Sequence, residues 1–253
     1  MNASEVVIVG MGQLGQELSR GFEALGLTVV PVRRGDSITD IATRHPAPRL
    51  VFIAVGEDDL HPVLEQLPPA YRSRLALLQN ELRPEDWRRH ALPQPTVAVI
   101  WFEKKADKPR TVLLETPVAG PSASLVVEAL DAIGVPARVV SDEALPIELA
   151  AKNLYILATN LLGRALGGGP VGPLFEKHRA RADALIEELA RLEEAALGAR
   201  LPREPMLETL ERAIASDPSH GSEGRSAPRR LARTRALAAR LGLSLPELSR
   251  VPD

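Results

Sequence analysis

Three glycines come first among the residues able to do chemistry in this chain. Gly10, Gly12 and Gly15 are spaced G-x-G-x-x-G, with Met11, Gln13 and Leu14 between them. A β-branched apolar run, Val6-Val7-Ile8-Val9, leads into them. A helical pattern from Gln13 to Leu25 follows, with Leu14, Leu18, Phe22 and Leu25 on one stripe. Strand, glycine turn and helix in that order is the context in which this spacing holds a pyrophosphate. Gly10 permits a sharp turn, Gly12 leaves the backbone open to the phosphates, and Gly15 lets the helix pack closely on the sheet. The free N–H groups of the first helical turn, at the positive end of the helix dipole, complete the cradle. The plainer alternative is a tight turn without a ligand.

The next charged group decides which dinucleotide. Thr28 to Val32 reads as a second strand, with Pro31 expected to make its pairing partial. Arg33-Arg34-Gly35-Asp36 follows, about twenty residues after the glycines. A carboxylate at this strand tip binds the ribose 2′-hydroxyl of NAD, and an arginine accommodates the 2′-phosphate of NADP. Two arginines arrive first, which favours NADP; Asp36 keeps NAD open, and a solvated basic turn is the plainer reading. Val55 and Gly56, where the apolar run Leu50 to Val55 ends, join the expected cofactor site.

Moving a hydride from a nicotinamide to a carbonyl builds negative charge on oxygen, so a proton or hydrogen-bond donor is needed. Lys152 is the candidate acid. It sits inside the most apolar helical stretch, Ala144 to Leu166, where desolvation lowers an ammonium pKa. Asn160 lies two turns on, roughly 12 Å up the axis and on nearly the same face. The alternatives are an i,i+4 ion pair of Lys152 with Glu148, and a helix–helix hydrogen bond for Asn160. A polar loop, Ser216 to Arg225, offers Ser219, His220, Ser222 and Arg225 as substrate contacts. The arginines that follow, Arg229, Arg230, Arg233, Arg235 and Arg240, read first as a solvated helix face, with binding of an anionic substrate or phosphate as the alternative.

These residues need elements to hold them. Alternating strands and helices through residue 141 predict a doubly wound α/β domain. Its further strands are Leu75 to Gln79, Thr96 to Phe102, Thr111 to Leu114 and Ala137 to Val140, with a charged hairpin loop over 103–109 and a helix over 121–133. Residues 142–253 predict an all-helical domain, with helices at 144–166, 175–197, 205–215 and 228–241. A pocket is expected in the cleft between the two. The 253 residues can bury a core unaided. A net charge of −2 gives no reason to expect nucleic acid or a membrane as partner. The absence of cysteine excludes disulfides and thiolate chemistry. The five histidines show no ligand spacing, so no metal is expected. The opening residues carry no basic run of a leader, which places the chain in the cytoplasm. The apolar helix leaves room for a homodimer through the helical domain.

Together these segments resemble the ketopantoate reductase family, NADP-dependent enzymes of the 6-phosphogluconate-dehydrogenase-like superfamily. Gly10-Met11-Gly12-Gln13-Leu14-Gly15 is similar to its cofactor turn, and Arg33 or Arg34 to its 2′-phosphate arginine. Leu77-Leu78-Gln79-Asn80 resembles the strand whose asparagine contacts the nicotinamide side of the site. Lys152 and Asn160 fall where the family keeps its catalytic lysine and a substrate asparagine. Gly172-Pro173-Leu174 and Gly242-Leu243-Ser244-Leu245-Pro246 resemble a turn after that helix and the family's ending. The sequence departs from the pattern at several points. Ile156 replaces a second asparagine, Glu81 replaces a glycine, and Ser226-Ala227-Pro228-Arg229 lacks a glutamate. The family's substrate serine has no unique counterpart here: Ser219 and Ser222 both fit, and Ser216 is a third option. The resemblance implies an NADP-dependent reductase of a small 2-oxo acid or related carbonyl, with Lys152, Asn80 and Asn160 at its centre. A regulatory dinucleotide-binding protein whose catalytic set has decayed is the alternative that Ile156 and the absent glutamate raise.

Overall fold

A computed structural model of the chain describes residues 4–253. Residues 1–3, on which the reading of a leaderless start partly rests, lie outside the described residues. The first half alternates short strands and helices: β1 (Glu5–Val9), α1 (Gln13–Ala24), β2 (Thr28–Val32), α2 (Ile38–Arg44), β3 (Leu50–Ile53), α3 (Leu60–Glu65), β4 (Leu75–Leu77) and α4 (Pro84–Arg88). It continues with β5 (Thr96–Ala98), β6 (Phe102–Glu103), β7 (Thr111–Val112), β8 (Thr116–Ala119), α5 (Ala123–Ala132) and β9 (Ala137–Val139). Seven strands make one sheet in the order β2-β1-β3-β4-β5-β8-β9, and β6 and β7 form a separate hairpin. Every neighbouring pair in the large sheet is parallel except β5 with β8. The order reverses direction at β1, and that places the ends of β1 and β3 at the crevice where such folds bind ligands.

The central strands are buried on both faces, as their unbroken apolar runs require. Val6, Val7, Ile8 and all four residues of β3 are fully buried. Phe22 of α1 packs on Phe52 of β3, with ring centroids 6.3 Å apart. A second helix, α5, lies close against α1. A Cβ at Gly21 would meet the carbonyl oxygen of Ala129 at 2.2 Å, so the small residue sets the approach of the two helices.

Several local expectations are corrected. Pro31 does not weaken β2: its register with β1 runs the full length, Pro31 opposite Ile8, because β2 is an edge strand. The stretch expected as one strand from Thr96 to Phe102 splits. β5 stays in the sheet and Phe102 turns into the hairpin, pinned where Leu113 N–H donates to the Trp101 carbonyl. Thr116–Ala119, unread in the sequence because Pro117 interrupts it, is a fully buried strand. The short helices α2 and α4 also escaped. Both carry cap chemistry: Ser37 accepts from Asp40 N–H, and Asp86 reaches back to Arg83 N–H.

The second half is helical: α6 (Leu145–Leu166), α7 (Val171–Lys177), α8 (Arg179–Leu197), α9 (Arg203–Ser216), α10 (Ala227–Arg240) and α11 (Pro246–Ser249). The helix expected over 175–197 is two, parted at His178, and Gly172-Pro173-Leu174 lies inside α7 rather than in a turn. α11 is held by a buried glutamate of α8. Glu188 accepts from Glu247 N–H and Leu248 N–H at 2.9 Å each and so satisfies the free donors of a helix start. The apolar side chains of α6, among them Leu149, Leu154, Leu157, Leu161 and Leu162, are buried within the single chain. Contacts divide the chain into a unit ending at Glu148 and a unit Leu149–Asp253, so the division falls after the first turn of α6. Among the described residues no helix is long and apolar enough to cross a membrane.

Gly21→Ala is expected to drive α1 off α5 and lower stability by about 1–3 kcal/mol, the usual cost of overpacking. Urea unfolding reads this directly, and an unchanged midpoint would show that the two helices can slide apart freely.

Candidate functional site

The glycine turn opens on a cavity of about 820 Å³ in the first unit. Its walls come from three loops at the carboxyl ends of β1, β2 and β3: Gly10, Met11 and Gly12; Arg33 to Thr39; and Ala54, Val55 and Gly56. Gly10 has φ +96°, and a Cβ there would lie 2.8 Å from the Ala54 carbonyl group. A Cβ at Gly15 would lie 2.1 Å from the Gly10 carbonyl oxygen. No other residue lets the first turn of α1 come this close to its own loop. At Gly12 a Cβ would meet nothing within 4 Å, so its side-chain direction is open space. Gly12 is also the N-cap of α1, in extended conformation and without a side-chain cap. The first N–H groups of α1, on Gln13, Leu14 and Gly15, therefore meet no capping side chain, the arrangement that receives an anion. The loop is tied down from behind: Gly10 N–H donates to the Val32 carbonyl and Ala54 N–H to that of Val9. These features fit a dinucleotide pyrophosphate.

Arg33 and Arg34 stand exposed on the rim with Ser37 and Thr39. The Asp36 carboxylate folds back into its own turn and accepts from Arg33 N–H at 2.7 Å. Arg34 lies 3.8 Å from Asp59 across the cavity mouth, a pair exposed enough to exchange freely for another anion. Asn80 does not line this cavity. It follows β4 and donates to Glu57, next to Gly56, at 3.0 Å. Buried Gln79 ties the same strand ends together by donating to the carbonyls of Ile53 and Val55. Glu81 has a left-handed backbone, φ +62°, a conformation that a glycine adopts without strain.

The other candidates lie in the helical unit. Lys152 is 7% exposed, its Nζ 5.6 Å from the centre of the Tyr155 ring. Glu148 is bonded to Arg138, which answers the ion-pair alternative for that carboxylate. Asn160 is buried and accepts from Arg230 Nη1 at 2.8 Å. Arg230 is thus no solvated arginine: it sits 8% exposed in the first turns of α10. Glu193 of α8, also buried, accepts from Asn153 Nδ2 at 3.4 Å. Sequence reasoning missed Glu193 and did not set Arg230 apart from the arginines around it, because α8 and α10 both read as charged helices.

The polar loop is stitched to the turn after α6. Val171, Gly172 and Ser222 N–H groups bond to the carbonyls of His220, Pro218 and Gly169. Ser219 donates to Asp217 at 2.7 Å, and His220 Nδ1 lies 3.8 Å from the same carboxylate. Arg225 is exposed. Ser222 is fully buried, and among the described residues its Oγ has no hydrogen-bond partner. It packs where a Cβ on Gly163 would otherwise be.

One cluster was not expected. His61 Nδ1 of α3 lies 2.9 Å from His90 Nε2, the rings stacked 5.2 Å apart. Arg89 Nε also donates to His61 Nδ1, at 3.1 Å, so this nitrogen is the acceptor. The His61 proton then sits on Nε2, 3.4 Å from Asp86. Burial, and after it the Arg89 charge, hold both histidines below the usual imidazole pKa. Among the described residues no group of three or more His, Asp or Glu is placed to hold a metal ion.

No model of a known family matches the sequence, and no curated protein matches it. Solved structures match its fold over nearly the whole chain. A PanE/ApbA family ketopantoate reductase from Ralstonia eutropha is 19% identical, with a TM-score of 0.69, and the match covers 98% of this chain and 95% of that one. A 2-dehydropantoate 2-reductase from Methylococcus capsulatus is 14% identical, with a TM-score of 0.72 and coverage of 98% and 94%. D-mandelate dehydrogenase in complex with NADH is 13% identical, with a TM-score of 0.69 and coverage of 98% and 96%. The chain therefore has the fold of the ketopantoate reductases, a doubly wound α/β domain followed by a helical one.

Gly12→Val is expected to leave the unfolding transition unchanged, since the new side chain meets no neighbour. It should weaken NADPH binding by about tenfold or more, roughly the worth of one lost strong contact; calorimetry measures it, and undiminished binding would place the phosphates elsewhere. The histidine pair makes a second prediction. Both pKa values are lowered on folding, so the unfolded chain binds more protons in acid. Stability is fully present above about pH 6.5 and falls as pH drops through the lowered values. Urea midpoints from pH 8 to pH 4.5 should show this slope, and the double variant His61→Gln/His90→Gln should flatten it.

Proposed function

We propose that the chain is a reductase of a small 2-oxo acid or related carbonyl that uses NADP in preference to NAD. The observation that carries this reading is the glycine cradle: an uncapped helix start, an open Gly12 and a cavity of dinucleotide size on one turn. The fold likeness to 2-dehydropantoate reductases and to a mandelate dehydrogenase supports the 2-oxo acid class. The preference for NADP is supported by Arg33 and Arg34 on the cavity rim, and by the Asp36 carboxylate being engaged with its own turn.

A bound reduced nicotinamide supplies the hydride. Lys152, a buried ammonium, donates the proton that neutralises the new alkoxide. Asn160 holds the substrate. Asn80 keeps its amide oxygen available on the nicotinamide side while its Nδ2 is engaged by Glu57. Ile156, in place of an asparagine, removes a hydrogen-bonding partner for a substrate hydroxyl, so the chain favours 2-oxo acids with apolar side chains.

Oxidation of NADPH with a panel of 2-oxo acids tests this reading. Activity on at least one acid is expected, with NADPH preferred over NADH. Lys152→Ala should lower kcat by about 10²–10⁴, the span of general-acid catalysis. Tight NADPH binding with no turnover of any acid would favour the regulatory alternative that Ile156 raises.

A further inference from the structure

Asn160 is bonded by an arginine, and that fixes which way its amide points. A guanidinium only donates, so the atom 2.8 Å from Arg230 Nη1 must be the amide oxygen. The NH₂ group is therefore on the other side of the amide, an assignment made by chemistry rather than by the indistinguishable shapes of O and N. One of its N–H bonds goes to Thr159 Oγ1, at a long 3.4 Å. That hydroxyl is itself held, donating to the Tyr155 carbonyl at 2.8 Å. The second N–H has no partner among the described residues. Both side chains are buried, at 8% exposed each, and a buried donor without a partner is costly.

We propose that Arg230 is a positioning residue that locks the Asn160 amide with an N–H directed at the substrate carboxylate. This inference rests on the reading of the chain as a 2-oxo acid reductase. The pair offers N–H donors and no acceptor. It suits an anionic carboxylate, and it gives no return to an ester or amide of the same acid, whose oxygens accept weakly.

Asn160→Asp separates this role from a structural one. The aspartate keeps, and strengthens, the contact with Arg230, so the fold is retained; it loses the N–H and adds a negative charge. With 3-methyl-2-oxobutanoate and its methyl ester as substrates, the variant should raise KM for the acid by about tenfold or more, the worth of a hydrogen bond to a charged group, with KM for the ester little changed. Arg230→Leu, which frees the amide to flip, should show the same split, and Arg230→Lys should restore part of the acid preference. Oxamate, a non-reducible analogue, gives a readout independent of turnover: it should bind the NADPH-loaded wild type and bind Asn160→Asp about tenfold more weakly. An active wild type whose Asn160→Asp variant keeps its acid KM, or loses acid and ester equally, overturns the proposal and leaves the reductase reading standing. A wild type that binds NADPH and oxamate but reduces neither substrate overturns the reductase reading, and oxamate affinity in Asn160→Asp then decides the role of Arg230. Failure of oxamate to bind the loaded wild type overturns the proposal.

Discussion

The first unit depends on one backbone approach. The start of α1 comes so close to the Gly10 carbonyl that only hydrogen atoms fit between them. Because α1 is drawn in, Gly21 can meet α5, Phe22 can reach Phe52, and the sheet closes over its core. The same approach leaves the helix start bare of side chains and turned toward the cavity. Packing and binding therefore share one cause, and the glycines serve both. Gly12 is the exception: nothing presses on it, so the space beside it has no structural use. Such a vacancy beside free N–H donors is what a phosphate requires.

The helical unit solves a different problem, how to keep polar groups inside an apolar bundle. Several of its buried polar groups have dedicated partners, and Ser222 Oγ is an exception among the described residues. Glu188 satisfies the start of α11, Asn153 meets Glu193, and Asn160 meets Arg230. Burying a charge without such partners costs several kcal/mol, so these contacts specify which helices meet and in what register. Lys152 lies among them on α6, with the Tyr155 ring against its ammonium.

What the sequence discloses is what neighbouring residues decide. The glycine turn, α1 and β3 follow from patterns within a dozen residues, and they stand where the pattern puts them. The long helix α6 is equally plain, since its apolar run continues past the single Gly163 to the glycines at 167–169. Strand β8 was hidden by Pro117, a residue that normally argues against a buried strand. The two short helices of the first unit gave too few turns to register as periodic. The polar contacts inside both units were invisible for another reason: in the helical unit Arg230 and Asn160 are 70 positions apart, and in the first unit His61 and His90 are 29 apart. Nothing local marks Arg230 as different from the exposed arginines beside it. Only the fold brings it to an amide.

Both margins of the large sheet are guarded. At one margin, β2 carries Pro31, which has no N–H to offer an approaching chain. At the other, β9 is only three residues long and carries Arg138, whose guanidinium is clasped by Glu115 and Glu148. A strand from another molecule would find a missing donor on one flank and a short, charged rail on the other. The molecule thus resists edge-to-edge aggregation through the same proline that, in sequence, looked like a flaw in its second strand.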